Sequence, residues 1–283
     1  MTASSAAPAV TISAVIADVD GTLVTTDKTL TAKSRAAVAR LHESGIVFAI
    51  ISSRPPRGLR MMVEPLALAT PLAGFNGGTL ATPDLTVLEA HLIDPGVAHR
   101  AVAAITEHGA QAWVFSGGEW LLREADGPYV AHEEHTVQFP PTVVDDFGTS
   151  LDSAAKIVGV SADFELLARC EGATQALLGD SASVARSQNY YLDVTHPLAN
   201  KGAGVQALAR QLAIPLAEIV TIGDGLNDIP MFAVSGLSVA MGNARPEVQA
   251  RAQLVTGSNE EDGFAAAIDR LMLMRRPDGT SRP

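Results

Sequence analysis

Two aspartates, Asp18 and Asp20, stand two residues apart at the end of the apolar run Val10–Ala17, in the stretch Asp18-Val19-Asp20-Gly21-Thr22. Side chains spaced i, i+2 at a strand end begin on one face. Two more acids, Asp224 and Asp228, follow a second apolar run, in Gly223-Asp224-Gly225-Leu226-Asn227-Asp228. Crowded carboxylates raise each other's pKa, so such a set is costly without a cation. An all-oxygen donor set favours a hard ion, Mg²⁺ above others. Phosphoryl transfer needs an in-line nucleophile and groups that neutralise the equatorial oxygens. Asp18 has the chemistry of a nucleophile that passes through an acyl phosphate. Asp20 can protonate the leaving oxygen and then activate water. Ser52, after the apolar run Ile46–Ile51, and Lys201 offer a hydroxyl and an ammonium to the transferring oxygens. Gly21 frees the backbone for close approach to a ligand.

Each piece alone has a structural reading. An Asp-x-Asp can be a turn and cap device, and Asp224 and Asp228 can cap a short helix. Ser52 alone is a turn residue, Lys201 alone a solvated helix residue, and Asn76-Gly77-Gly78 a tight turn. Their joint placement at strand and helix ends, in this order, favours a common site beyond the carboxyl ends of a parallel sheet.

The elements that would position them alternate. The spacing predicts a strand over Val10–Ala17, a helix from the Thr31 cap to Ser44 with Gly45 as stop, and a strand over Ile46–Ile51. Pro55 and Pro56 open a helix expected to reach Ala67, and a short strand leads to Asn76. From Pro83 the rhythm changes. Residues 84–194 read as a separate α+β module: helices over 95–108 and 163–178, and strands near 111–115, 119–123, 155–160, 182–186 and 189–194. The segment from Gly127-Pro128 through His132 and His135 reads as a loop. The parallel pattern resumes with a helix over 201–212, strands over 218–222, 237–241 and 253–256, and a helix over 260–274. The fold expected is α/β: a Rossmann-like parallel-sheet core from 1–82 and 195–283, with an inserted α+β cap over 83–194. Residues 1–9 and the tail from Arg275 read as loose ends.

The chain of 283 residues is 47% hydrophobic and 18% charged, with net charge −11. It has no Lys/Arg cluster beyond Arg275 and Arg276, which argues against a nucleic-acid partner. Cys170 is the only cysteine, so no intrachain disulfide forms. There is no signal-like N-terminus and no membrane-length apolar run, so a cytoplasmic protein is expected, with no membrane partner.

These residues resemble a known family. DVDGTL (18–23), ISSR (51–54), Lys201 in NKG and GDGLNDIPM (223–231) are similar to the four motifs of the haloacid dehalogenase-like hydrolases. FNGG (75–78), MGNA (241–244) and SNEEDGF (258–264) resemble the Cof-type subfamily. The resemblance implies a Mg²⁺-dependent phosphatase acting on a small phosphorylated metabolite, as monomer or homodimer. Asp18 would be nucleophile and metal ligand. Asp20 would be the acid/base, with its carbonyl on the metal. Asp224 would be a further ligand, and Asp228 would support it without touching the ion. Ser52, Lys201 and Asn227 would contact the phosphoryl group, with Arg54 and the Asn76-Gly77-Gly78 turn on the substrate side. Ser53 stands where this subfamily commonly has glycine, and Gly78 where it commonly has alanine. Trp120, Arg123, His132, His135 and Tyr190 are the cap residues considered for reading the leaving group. Each also has a local reading: Trp120 and Tyr190 as packing residues, Arg123 as the partner of Glu124 or Asp126. A phosphomutase, a phosphate-binding protein without catalysis and a receiver domain are the competing readings. The complete acid set argues against the second, and the length against the third.

Overall fold

Alternation of apolar runs with amphipathic stretches gives, along the chain, β1 (Ala14–Ala17), α1 (Ala32–Glu43), β2 (Val47–Ile50), α2 (Pro56–Leu59), β3 (Leu72–Gly74), β4 (Thr79–Ala81), β5 (Val87–Ala90), α3 (Pro95–Glu107), β6 (Gln111–Ser116) and β7 (Glu119–Leu122). Then come α4 (Val130–Val137), β8 (Thr142–Val143), β9 (Ala154–Val160), α5 (Phe164–Leu178), β10 (Ser183–Gln188), β11 (Tyr191–Thr195), α6 (Lys201–Leu212), β12 (Ile219–Gly223), α7 (Ile229–Val234), β13 (Leu237–Ala240), α8 (Pro246–Gln249), β14 (Leu254–Val255) and α9 (Gly263–Met274). The computed structural model describes residues 11–275. The expected lead-in over 1–9, Val10 and the tail from Arg276 lie outside the described residues.

Two units form. The first comprises the described residues to Ile51, Glu64–Thr70 and those from Val205 on. Its sheet is wholly parallel, in the order β14-β13-β12-β1-β2. β1 lies inside the sheet, between β12 and the edge strand β2, with Ala17 level with Ile222 on one side and Ile50 on the other. All four residues of β1 are buried, as expected of a strand covered on both faces. Helix α1 begins at Thr31, whose hydroxyl accepts the Ser34 N–H, and ends before Gly45 at φ +70°. Phe48 of β2 meets Phe264 of α9 edge-on at 5.9 Å.

The second unit is Ser52–Val63 with Pro71–Gly204. It holds a three-stranded antiparallel sheet, β3-β4-β5, and a six-stranded sheet ordered β10-β11-β9-β6-β7-β8, antiparallel except for β7 and β8. The larger sheet packs apolar side chains on both faces. One face packs Ala112, Val114, Ile157 and Leu192 among side chains of α3 and α5, including Cys170. The other carries Trp113, Phe115 and Trp120 against Val130 and Val137 of α4. The fold is thus α/β, a parallel core sheet with a separate mixed sheet inserted in the chain.

Two local expectations change. The helix from Pro55 does not reach Ala67: α2 ends at Leu59 and only a 3₁₀ turn, Arg60–Met62, comes after it. Pro65 lacks an amide hydrogen and its ring obstructs the preceding turn. Residues 130–137 are a helix rather than a loop. The sequence hides α4 because both ends turn through left-handed residues that are not glycine, Tyr129 (φ 63°) and Gln138 (φ 61°), with no side-chain cap at the start. Each such residue stores about 1–3 kcal/mol of strain.

Candidate active site

Asp18 is the first residue past β1. Its N–H still bonds Ile222 O of β12 at 2.9 Å, while Ile51 N bonds Ala17 O on the other side. Asp224 is the first residue past β12. The parallel pairing of β1 with β12 therefore puts the two acids at adjacent carboxyl ends, where open parallel sheets bind ligands. Asp228 arrives from the next turn of 3₁₀ helix. Asp18, Asp224 and Asp228 each present an oxygen within 4.8 Å of the others. Asp18 and Asp228 are buried and Asp224 is half-buried.

The neighbours of these carboxylates explain much of the local sequence. Asp228 Oδ2 accepts the N–H groups of Asp224 and Gly225, both at 2.8 Å, which holds the loop in shape. A Cβ at Gly223 would stand 2.4 Å from that oxygen, so only glycine fits. Asp224 Oδ1 accepts from the Thr22 hydroxyl at 3.0 Å, and Oδ2 from Asn243 Nδ2 at 3.1 Å. Asn243 Nδ2 also donates to Gly21 O at 2.9 Å, and Asn243 Oδ1 accepts Asn259 N at 3.0 Å. Asn259 Nδ2 in turn donates to Val24 O at 3.1 Å. Gly21, at φ +77°, is pressed against the Asp224 carboxylate rather than simply opened to a ligand.

Asp20 is not one of these three. Its Oδ1 pairs with Lys28 Nζ at 2.7 Å, each side chain about a quarter exposed. Asn227 is exposed in the turn between Asp224 and Asp228. The three gathered acids fit a hard divalent cation, since they offer only oxygen and two are buried where unneutralised charge is costly.

In the second unit, Ser52, Arg54 and Lys201 are buried. Ser52 O accepts Asn76 N at 2.8 Å, Arg54 O accepts Phe75 N at 2.8 Å, and Arg54 N donates to Ser52 Oγ at 3.2 Å. The turn runs through three positive-φ residues, Phe75, Asn76 and Gly77. A Cβ at Gly77 would lie 2.5 Å from Gly204 Cα, so the turn seats directly on the first turn of α6. That helix starts at Lys201 behind Asn200, whose Oδ1 accepts Ala203 N at 3.0 Å. Arg54 Nη1 reaches Thr136 O of α4 at 2.6 Å. Ser53 is half-buried.

Of the cap residues, Trp120 is wholly buried, edge-on to Trp113 and stacked on Phe115, which makes it a packing residue. Tyr190 stacks on Tyr129 with centroids 4.1 Å apart, and His132 meets its edge. Arg123 is exposed, and its expected neighbour Glu124 instead accepts from Gln111. His132 and His135 are exposed on α4, and neither joins a metal-type cluster among the described residues.

Thr22, Lys28, Asn243 and Asn259 were not singled out by sequence reasoning as site residues. The signals available were the phrases MGNA and SNEEDGF, which carry the two asparagines.

Comparison with known proteins agrees. The pattern of the haloacid dehalogenase-like hydrolases matches residues 15–268. The HMP-PP phosphatase of Cronobacter sakazakii is 30% identical over 82% of this chain and 85% of its own. Pyridoxal phosphate phosphatase YbhA of Escherichia coli is 28% identical over 89% of this chain and 95% of its own. A haloacid dehalogenase-like hydrolase from Bacteroides thetaiotaomicron superposes with a TM-score of 0.85 at 26% identity, covering 92% of this chain and 99% of that one. The chain therefore belongs to the haloacid dehalogenase-like hydrolase family, in its Cof-type branch, and is a phosphatase.

Proposed function

We propose that the chain hydrolyses small phosphate monoesters, sugar phosphates or related metabolites, through a phosphoryl group carried on Asp18. The observation that supports this best is the approach of Asp18, Asp224 and Asp228 to within 4.8 Å of one another. Asp18, Asp224 and the carbonyl of Asp20 would hold Mg²⁺, and Asp228 would fix the Asp224 loop from behind. Bound Mg²⁺ would offset negative charge on the phosphoryl oxygens.

Asp18 attacks phosphorus and Asp20 gives a proton to the departing oxygen. Asp20 then takes a proton from the water that opens the acyl phosphate. Ser52, Lys201 and Asn227 bind the transferring oxygens, and Arg54, Asn76 and Gly77 border the substrate, with Ser53 beside them. The names of the relatives support a small phosphorylated metabolite: HMP-PP for one, pyridoxal phosphate for another. The proposal includes a core of 1–82 and 195–283, a cap of 83–194, and a cytoplasmic monomer or homodimer. No helix among the described residues is long and apolar enough to cross a membrane.

The experiment is phosphate release from a panel of esters, with and without EDTA, by the wild type and Asp18→Asn. Loss of several orders of magnitude in the variant, and recovery of the chelated wild type by Mg²⁺, are expected. A variant at wild-type rate rules out the covalent route. Conversion of hexose 1-phosphate to an isomer without free phosphate would favour the phosphomutase reading.

A further inference from the structure

Most sheet edges in the described residues are short or engaged. In the parallel sheet β14 is only two residues long, and on β2 the Thr70 hydroxyl donates to Phe48 O at 2.8 Å. The six-stranded sheet ends on one side in β8, again two residues. On the other side, α5 side chains engage the backbone of β10: Gln175 Nε2 donates to Val184 O at 2.9 Å, and Glu171 Oε1 accepts Arg186 N at 3.0 Å. In the small antiparallel sheet, β3 is bonded to the segment before α2, Ser52 N donating to Ala73 O at 2.9 Å.

The remaining edge, β5, differs. Among the described residues no strand lies beyond it. Its residues, Val87-Leu88-Glu89-Ala90, include neither lysine nor proline, the usual guards of an edge. Val87, Leu88 and Leu92 are 57%, 43% and 41% exposed, and Ala90 is exposed too. His91 N donates to Gly78 O at 2.8 Å, toward β4. In an antiparallel ladder successive residues turn their backbone groups to opposite sides, so the N–H and C=O of Ala90 point outward. A bulge at Leu88 is the one edge device present. It lies before Glu89 and leaves Glu89 and Ala90 in regular register with Leu80 and Thr79.

Such an edge accepts another extended strand, and the side chains select which. Let the segment lie antiparallel on a copy of itself, with Ala90 facing Ala90 on the two-fold axis. Leu88 then opposes the copy's Leu92, and Glu89 opposes the copy's His91, each pair occurring twice. Apolar meets apolar, and a carboxylate meets an imidazole that can donate to it. Sliding the copy by two residues one way sets Glu89 against Glu89, like charge on like charge. Sliding it the other way sets His91 against His91 and Glu89 opposite Ile93, which is already buried in the apolar core of the six-stranded sheet. One register is therefore favoured, and it is self-complementary, as a two-fold interface requires.

We propose that β5 is a dimerisation edge, through which two copies of the chain join their three-stranded sheets into one continuous sheet along Leu88–Leu92. So small an interface gives a dimer in exchange with monomer rather than a permanent one. The inference goes beyond the phosphatase reading and uses none of its residues.

Sedimentation velocity on the full chain, over about a hundredfold range of concentration, tests it. Wild type should pass from monomer toward twice that mass. Ala90→Pro removes the outward donor while sparing the ladder to β4, the setting in which edge strands tolerate proline. Leu88→Lys sets a charge on the exposed edge. Each variant should stay monomeric throughout, with a circular-dichroism melt close to wild type. If the proline variant melts early, Leu88→Lys decides alone. His91→Glu places like charges opposite each other in the favoured register and should weaken the dimer about tenfold, whereas Glu89→Lys/His91→Glu restores opposite charges and should recover it. Both of these lose the stack of His91 on His196, so their comparison is free of that change.

A wild type that is monomeric at every concentration overturns the proposal. Slow exchange of the Ala90 amide in that monomer would show the edge occupied by a segment of the same chain. A dimer unaffected by Leu88→Lys also overturns it and puts the interface elsewhere. A dimer broken by Leu88→Lys but indifferent to the charge exchange overturns the register. Neither substrate nor Mg²⁺ enters the measurement, so failure here leaves the phosphatase reading intact.

Discussion

A Cβ on Gly21 would stand 2.4 Å from Asp224 Oδ2, across about 200 residues of sequence. The backbone that leaves Asp18 and Asp20 is packed against the carboxylate delivered by β12, with Asn243 Nδ2 donating to both Gly21 O and Asp224 Oδ2. Gly21→Ala meets two penalties, a positive φ and a collision with a charged oxygen. We expect turnover to fall on the order of a hundredfold, as for a small misplacement of a reacting group. Steady-state kinetics beside a circular-dichroism melt check this, and a variant with wild-type kinetics contradicts it.

Asn243 tests the support of the acid cluster without altering an acid. Asn243→Ala removes one donor to Asp224 and leaves Asn259 N without its acceptor. The Mg²⁺ concentration for half-maximal activity should rise roughly 10–100-fold, the usual effect of losing a group that orients a ligand. Saturating Mg²⁺ should recover most of kcat. A metal titration unaffected by the change would refute the role.

Glu133 makes stability depend on pH. Burial raises its carboxyl pKa in the fold, so the folded protein holds this proton at pH values where the unfolded chain has released it. The stabilisation is complete below the ordinary glutamate value, about 4.3, and is lost as pH rises through the folded value. Glu133→Gln should therefore flatten this decline and raise the melting temperature at pH 7. Denaturation series from pH 4 to 8 on both proteins decide it. A decline just as steep in the variant would assign the effect elsewhere.

Trp120 is wholly buried between Trp113 and Phe115. Trp120→Ala should destabilise by about 3–5 kcal/mol, the range for a large core deletion. Urea unfolding followed by fluorescence gives the value. A loss under about 1 kcal/mol would mean that the core closes over the gap far better than cores usually do.

The sequence is informative where the physics is local. Four acids beside two apolar runs cannot be left together without a counter-charge, and three of them do converge. Asp20, the fourth, has its carboxylate on Lys28, a pairing that spacing alone does not suggest. Asn243 and Asn259 act by hydrogen bonds to residues more than 200 positions earlier, and no periodicity encodes such a link. Helix α4 is hidden for the opposite reason. Its local signals, Gly127-Pro128 before it and no capping side chain, point away from a helix, and packing against the sheet overrides them. The shortening of α2, by contrast, is legible in Pro65.

The strand order has a consequence for synthesis. β1 leaves the ribosome about 200 residues ahead of one of its two neighbours, β12, with which it pairs from Ala14 to Ile219. The stretch between them includes all of the second unit's strands, none of which pairs with β1. At about 5–20 residues per second, β1 waits ten seconds or more with one edge unpaired. During that interval Ala14 to Ala17, an apolar strand with an open edge, needs shielding from other chains.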